Sequence, residues 1–426
     1  MGDRSRLCSV WLGSETGILK GVSVARKQAF NFCNTSHLSR DQELRVLVWG
    51  DPAESELLAG AVDGTVKTFS TEKGEFTESR TCGDPEDGCF TGLAARGSGL
   101  LTASERGPVR VWREDSTEPV LELDAGKNVC RMRLSPVHPN RVATGGKETG
   151  LRIWDLERPE EPTFTAKNLR DDWLDLRRPH WVRDLAFIPG GDKVVTCTGF
   201  HQIHVFDPAS PRRRPVFEAE FGEYPLTALS LPAAGDTVVV GNTHGEVAML
   251  DLRKGLVRGV LKGLAGGVRW LQCHPTQPLV ASCGLDRFLR IHSLEDRTLL
   301  HKVYLKSRLN CLLLSSRALE DAGRDTGTGG EGPEVKEEED EVWDTMETVW
   351  EKPKRKTGEE EEEPQKKSKT GEEEEEPQKK SKTGEEEEEP QKKSKTGEEE
   401  EEPQKKNKTG EEEEEPQKKR KKKRKA

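Results

Sequence analysis

One hairpin recurs seven times between residues 9 and 293, and that repetition confines the fold more tightly than any other feature of the chain. Each copy is a small or apolar strand, a polar turn that usually holds Gly, and an alternating strand ending in a bulky residue. Six copies are plain: LLAGAVDGTVKTFS, LLTASERGPVRVW, VATGGKETGLRIWD, VVTCTGFHQIHVFD, VVVGNTHGEVAMLD and LVASCGLDRFLRIHS; a weaker one, SVWLGSETGILKGVS, opens the series. The bulky residues are Val22, Phe69, Trp112, Trp154, Phe206, Leu250 and His292, spaced by 47, 43, 42, 52, 44 and 42 residues. Period-2 alternation selects strands over helices. A repeat of about 40–45 residues is one supersecondary unit that cannot bury its own apolar face, so neighbouring units must stack.

Trp154-Asp155 keeps the Trp-Asp dipeptide that marks such repeats. The predicted fold is therefore all-β: a seven-bladed WD40-type β-propeller with four strands per blade. Each bulky residue ends a third strand. Outer strands follow at FTAKN (164–168), PVFEAEF (215–221) and LLHKVYLK (299–306), and innermost strands at CRMRLSP (130–136), VRDLAFIP (182–189) and VRWLQC (268–273). Blade one begins directly with its second strand. One strand, RLNCLLLSS (308–316), is left over at the end. It is predicted to enter blade one and close the ring, which leaves no open sheet edge at the seam.

Charge divides the chain. Residues 331–426 hold 35 Asp and Glu against 25 Lys and Arg, whereas residues 1–330 hold 43 of each. The expected domains are a propeller over 1–316, an acidic linker with a short amphipathic Trp-containing segment over 317–356, and disordered repeats over 357–426. The repeats are copies of a 13-residue unit, KTGEEEEEPQKKS in its commonest form, and have too little apolar area to offset their ordering entropy. Nine cysteines, an odd number, in a chain with no apolar leader suggest reduced thiols inside the cell, most of them small buried side chains. No stretch reaches the length of a membrane span.

Antiparallel strands place the turns between second and third strands at the same end of the ring as the links between blades. The 52-residue spacing reflects one enlarged link, AKNLRDDWLDLRRPHW (166–181). Arg and Trp dominate interface energetics, and loops on a rigid scaffold carry binding. The expected partner-binding residues are Lys147, Lys167, Asn168, Arg170, Asp171, Trp173, Asp175, Arg177, Arg178, His201, His244 and Arg287. The bland alternative is a solvated loop whose Trp packs back on blade four or five. Asp63 and Asp286 are expected to shape their own turns.

No catalytic, cofactor or metal motif emerges. GGKET (145–149) joins two strands rather than opening a helix, and His201 and His204 do not share a face. The expectation is a protein that is not an enzyme and needs no cofactor. In EEDEVWDTMETVWEKPK (338–354), Trp343, Met346 and Trp350 fall on one face of a helix, predicted to dock in a partner's groove or, alternatively, on the propeller's own side. The terminal cluster Lys418, Lys419, Arg420, Lys421, Lys422, Lys423, Arg424 and Lys425 is predicted to direct nuclear import or contact nucleic-acid phosphates.

Runs such as VATGGKE, IWDLE, RDDWLDLR, GEYPLTA, GNTHGE, LQCHP, HKVYLKS and LNCLLLS together resemble the family of WD repeat-containing protein 74 and the yeast NOP-seven-associated ribosome assembly factor, over residues 9–315. The resemblance implies a nucleolar, non-enzymatic scaffold on precursors of the large (60S) ribosomal subunit, acting in pre-rRNA processing. Implied partners are pre-60S assembly factors, a hexameric AAA ATPase that releases the protein, the RNA helicase of the nuclear exosome, and pre-rRNA as a further candidate, with the chain a monomer in a large particle. Two rivals remain: a substrate receptor of a ubiquitin ligase, for which LDLR (250–253) is a degenerate signal, and a chromatin reader gripping a histone tail in its channel.

Overall fold

The computed structural model describes residues 2–33, 38–171 and 173–319, and the backbone of 347–350. Seven antiparallel sheets form the ring, six of four strands and one that gains a fifth; in the six the chain runs from the innermost strand outward, and in blade one the innermost strand comes from the far end of the propeller. The bulky residue of every hairpin copy is buried near the end of the third strand. Trp112 and Trp154 donate their indole N–H to the hydroxyls of Thr102 and Thr144, at 2.9 and 3.0 Å. His292, in the equivalent place, instead reaches the Lys262 carbonyl of the preceding blade at 3.0 Å.

The leftover strand closes the ring. Leu309–Leu314 pairs antiparallel with Val10–Ser14, in the register Val10 opposite Leu314 and Gly13 opposite Cys311. Both neighbouring blades hold it. From blade two, the Trp49 indole donates to the Leu314 carbonyl at 3.0 Å, and the buried Glu54 carboxylate accepts from the Ser315 hydroxyl and from the Ser316 N–H. From blade seven, the Gln272 amide oxygen accepts from the Leu314 N–H at 3.0 Å. Packing continues past residue 316: the Arg317 carbonyl meets the His274 imidazole at 2.9 Å, and buried Leu319 donates its N–H to Gln277.

Blades pack closely enough that some facing positions admit no side chain. A Cβ added to Gly13 would lie 2.8 Å from the Leu44 Cβ, and one added to Gly241 would lie 2.9 Å from the Val268 Cβ. Every innermost strand also carries a bulge near its start, where one residue is left without a partner in the ladder. Those residues are Arg45, Thr91, Cys130 and Arg183 in blades two to five. They are Thr227 and Arg269 in blades six and seven, and Asn310 on the closing strand. A bulge re-aims the side chain it carries. All seven face one cavity of about 190 Å³ on the ring axis.

One prediction for the tail is corrected. Glu347–Trp350 is a strand, not a turn of helix, and pairs parallel with the outer strand of blade one, Gln28–Cys33. An outer strand offers a row of unpaired N–H and C=O groups. Thr348, Val349 and Trp350 are strand formers, and a short isolated helix cannot offset its nucleation cost. Trp343 and Met346 lie outside the described residues, as do the repeats and the basic cluster at 418–425.

The closing strand can be tested by truncation. A chain ending at residue 305 loses Leu309, Leu312, Leu313 and Leu314, buried leucines worth about 1.5–3 kcal/mol each, which rivals the roughly 5–15 kcal/mol stability of a domain. It should aggregate and show no cooperative melt by size-exclusion chromatography and circular dichroism; a soluble, cooperatively melting fragment refutes the closure. Ending the chain at residue 335 should leave melting nearly unchanged but speed amide exchange within 28–33, measured by mass spectrometry.

Candidate functional site: the loop-bearing face

The enlarged link leaves blade four after the short outer strand Phe164–Thr165 and enters blade five at Val182. The predicted outer strand stops at Thr165 because the chain turns away into this link. Its neck is tied shut by hydrogen bonds. The Lys167 N–H donates to the Arg213 carbonyl at 2.8 Å, the Asn168 side-chain amide to the Arg178 carbonyl at 2.6 Å, and Arg214 Nε to the Asn168 carbonyl at 3.1 Å. Arg178 also meets the Glu218 carboxylate at 3.3 Å. Asn168 and Arg178 thus hold the loop in place, and the Lys167 side chain is exposed.

Beyond the neck, Arg170, Asp171, Asp175 and Arg177 are exposed, and Asp175 adopts a positive φ of 56° at the bend. Trp173 is 89% exposed, with Leu174 and Leu176 more than half exposed beside it in sequence. An apolar tip this open on a pinned neck has the composition of an interface anchor. The two leucines were not singled out from sequence, although the alternation W-L-D-L carried the signal.

The second tryptophan of the link behaves differently. Trp181 lies against blade five: a Cβ on Gly199 would come within 2.6 Å of its ring, and Phe200 meets it edge-on at 6.5 Å between centroids. Its backbone bridges to Lys147, whose Nζ lies 5.6 Å from the ring centroid, and the Arg183 guanidinium lies 4.8 Å from it. Trp181 thus packs back on blade five, whereas Trp173 stands exposed.

The remaining candidates sit at turn tips. His201 and Arg287 take positive φ values of 53° and 68°, and their carbonyls accept from Phe221 and Leu305 at 3.0 and 2.9 Å. His201 is half-buried and shapes its turn, whereas the Arg287 side chain is exposed. His244 is exposed and stacks on Tyr224, with centroids 4.5 Å apart and planes 8° from parallel. Asp63 accepts from the Thr65 N–H at 2.9 Å and Asp286 from the Phe288 N–H at 3.3 Å, as expected for turn-shaping carboxylates. Among the described residues no cluster of His, Cys, Asp and Glu could hold a metal.

Beneath the loop, His204 is 2% exposed. Burial, then the His180 and Arg178 charges, lower its pKa to about 4. Glu218 stands 4.0 Å away, but Arg178 draws on the same carboxylate. The unfolded chain binds this proton near pH 6.5. The stabilisation is thus complete above about pH 6.5 and lost as pH falls toward 4. His204→Phe should remove about 2–3 kcal/mol of acid sensitivity between pH 7 and pH 4, read from urea melts at each pH; an unchanged acid limb refutes the assignment.

A closed ring of seven four-stranded blades, with Trp154-Asp155 at the end of a third strand, defines a WD-repeat β-propeller. The WD domain, G-beta repeat family matches residues 256–293, from the outer strand of blade six through the third strand of blade seven. WD repeat-containing protein 74 of Bos taurus is 54% identical over 346 residues, 80% of this chain and 90% of that protein; the Homo sapiens protein of the same name matches equally. The chain belongs to the WD repeat-containing protein 74 family. A more distant relative, Ribosome biogenesis protein NSA1 of Meyerozyma guilliermondii, is 28% identical over 228 residues, 46% of this chain and 57% of that protein.

Proposed function

We propose that this chain is a non-enzymatic scaffold in ribosome biogenesis, acting on precursors of the large subunit during pre-rRNA processing in the nucleolus. The relatives named for ribosome biogenesis support the general role. The observation that carries the mechanism is the loop 166–181: a pinned neck that presents Trp173 and its neighbouring arginines on a rigid ring. Rigid presentation means that little conformational entropy is lost on binding, so a few anchors suffice. Arg170 and Arg177 flank the apolar tip with fixed, strongly donating charge.

In this reading pre-60S assembly factors dock on the loop-bearing face, and Lys147, His244 and Arg287 extend the docking surface. A hexameric AAA ATPase ends the association, and the RNA helicase of the nuclear exosome works alongside. The basic residues 418–425 direct the chain to the nucleus.

The deciding experiment is sedimentation of nuclear extract on a sucrose gradient, with sequencing of RNA that copurifies with the tagged chain. Co-migration with large-subunit precursors supports the role, and migration free of pre-rRNA overturns it. Trp173→Ala combined with Arg170→Ala should reduce co-migration about tenfold or more, since anchors of this kind contribute ~2 kcal/mol or more. Melting should move little, because both side chains are exposed.

A further inference from the structure

The centre of the loop-bearing face holds a second feature, which sequence periodicity does not reveal. The innermost strands start at this face, so their seven bulged residues form a ring just inside the mouth of the axial channel. Three of the seven are arginines: Arg45, Arg183 and Arg269. None of the other four carries a charge; two are threonines and one is an asparagine, which add neutral donors.

Charge at the mouth is unbalanced. The cavity of about 190 Å³ is lined by four arginines, the three above and Arg131, against one carboxylate, Glu105. Arg45 is paired with Glu43 at 2.8 Å, and Arg131 with the buried Asp184 at 2.9 Å. The Asp184 carboxylate is also occupied by the Leu229 N–H at 3.1 Å and faces Arg133 at 3.8 Å. Among the described residues neither Arg183 nor Arg269 has a carboxylate within 4.0 Å, and Glu43 and Glu15 act on Arg269 only from further off. Burial first, then the Arg45 and Arg183 charges, hold the Arg269 guanidinium below its usual range, and the Glu43 and Glu15 carboxylates offset only part of that. A bound anion relieves the repulsion among these arginines.

The arrangement discriminates between anions. A carboxylate has two oxygens in one plane, which one guanidinium can saturate. A phosphate presents oxygens tetrahedrally and suits guanidinium groups converging from several blades. The cavity is too small to admit a duplex and lies open at the face, where an extended backbone can cross it. We propose that the arginine ring binds the phosphodiester backbone of single-stranded RNA at the mouth of the channel. This rests on the scaffold role above for the source of the phosphate, and it makes the loop and the ring two parts of one face: the loop for protein, the ring for RNA.

The test uses the full chain with residues 418–425 changed to Gln in every sample, so that the basic terminus does not mask the ring. Binding of a short fluorescein-labelled oligouridylate is titrated at several salt concentrations. Arg183→Gln with Arg269→Gln should weaken binding by about tenfold per arginine, and the slope of log affinity against log salt should fall by about 0.7 for each phosphate no longer neutralised. Arg183→Lys with Arg269→Lys should restore part of both. On the chain with its native arginines, photo-cross-links from 4-thiouridine oligonucleotides should map to 182–187 or 268–273, which reads the site even if the Gln variant folds poorly. Unchanged affinity and slope in a folded variant overturns the proposal. So do cross-links that avoid both strands, or tighter arginine-dependent binding of a phosphoserine or polyglutamate peptide. If the native chain still sediments with large-subunit precursors in any of those cases, only the ring assignment fails; if it does not, the scaffold role fails separately.

Discussion

Pairing of the first strand with the last governs everything else in this molecule. Val10–Ser14 and Leu309–Leu314 come from opposite ends of the propeller, yet their side chains form one buried apolar cluster with those of blades two and seven. A ring of sheets has no independent core in each blade, since every face is covered by its neighbour. Opening the seam therefore exposes apolar surface on two blades at once. Glu54 shows how tightly the seam is specified: its carboxylate is buried, and the groups it accepts from, the Ser315 hydroxyl and the Ser316 N–H, both follow the closing strand. An unpaired buried carboxylate is strongly unfavourable, so these hydrogen bonds select closure in one register.

A rigid ring then permits a functional division of its loop-bearing face. Short turns are locked by their own carboxylates and by positive-φ residues, and they have little freedom to change shape. The one enlarged link can vary, and it does so from a fixed neck. Its two tryptophans illustrate the division: Trp181 packs on Gly199 and Phe200 and belongs to the scaffold, while Trp173 stands in solvent. In the channel below, the half-buried Arg131 and Arg133 meet buried Asp184 and Trp270 in a group contributed by blades four, five and seven, with the Arg131 guanidinium 4.3 Å from the Trp270 ring centroid. That group engages the Asp184 carboxylate, so Asp184 is not free to pair with Arg183 or Arg269.

Much of the fold is legible in the sequence. Alternation, turn glycines and the spacing of seven bulky residues identify the blades, and the surplus strand at 308–316 predicts how the ring closes. The loop stands out because it lengthens one spacing. Three features are not legible. The tail segment has helical spacing at Trp343, Met346 and Trp350, but the backbone of 347–350 pairs with an open sheet edge, a partner more than three hundred residues away in sequence. The fates of Trp173 and Trp181 differ because only one lies near the cleft beside Gly199. The ring of bulged residues depends on register, and residue type alone does not reveal register.

The sequence by itself determined the number of blades, the strand order within each, the closing strand and the segregation of charge into the tail, because these follow from local periodicity and spacing along the chain. Tertiary structure alone decided which side chains meet across blades. It turned Arg45, Arg183 and Arg269, residues far apart in the chain, toward one axis, buried Asp184 and His204, and left Trp173 exposed. Those outcomes depend on through-space packing and on one-residue shifts in pairing, and a strand's alternating pattern is the same on either side of such a shift.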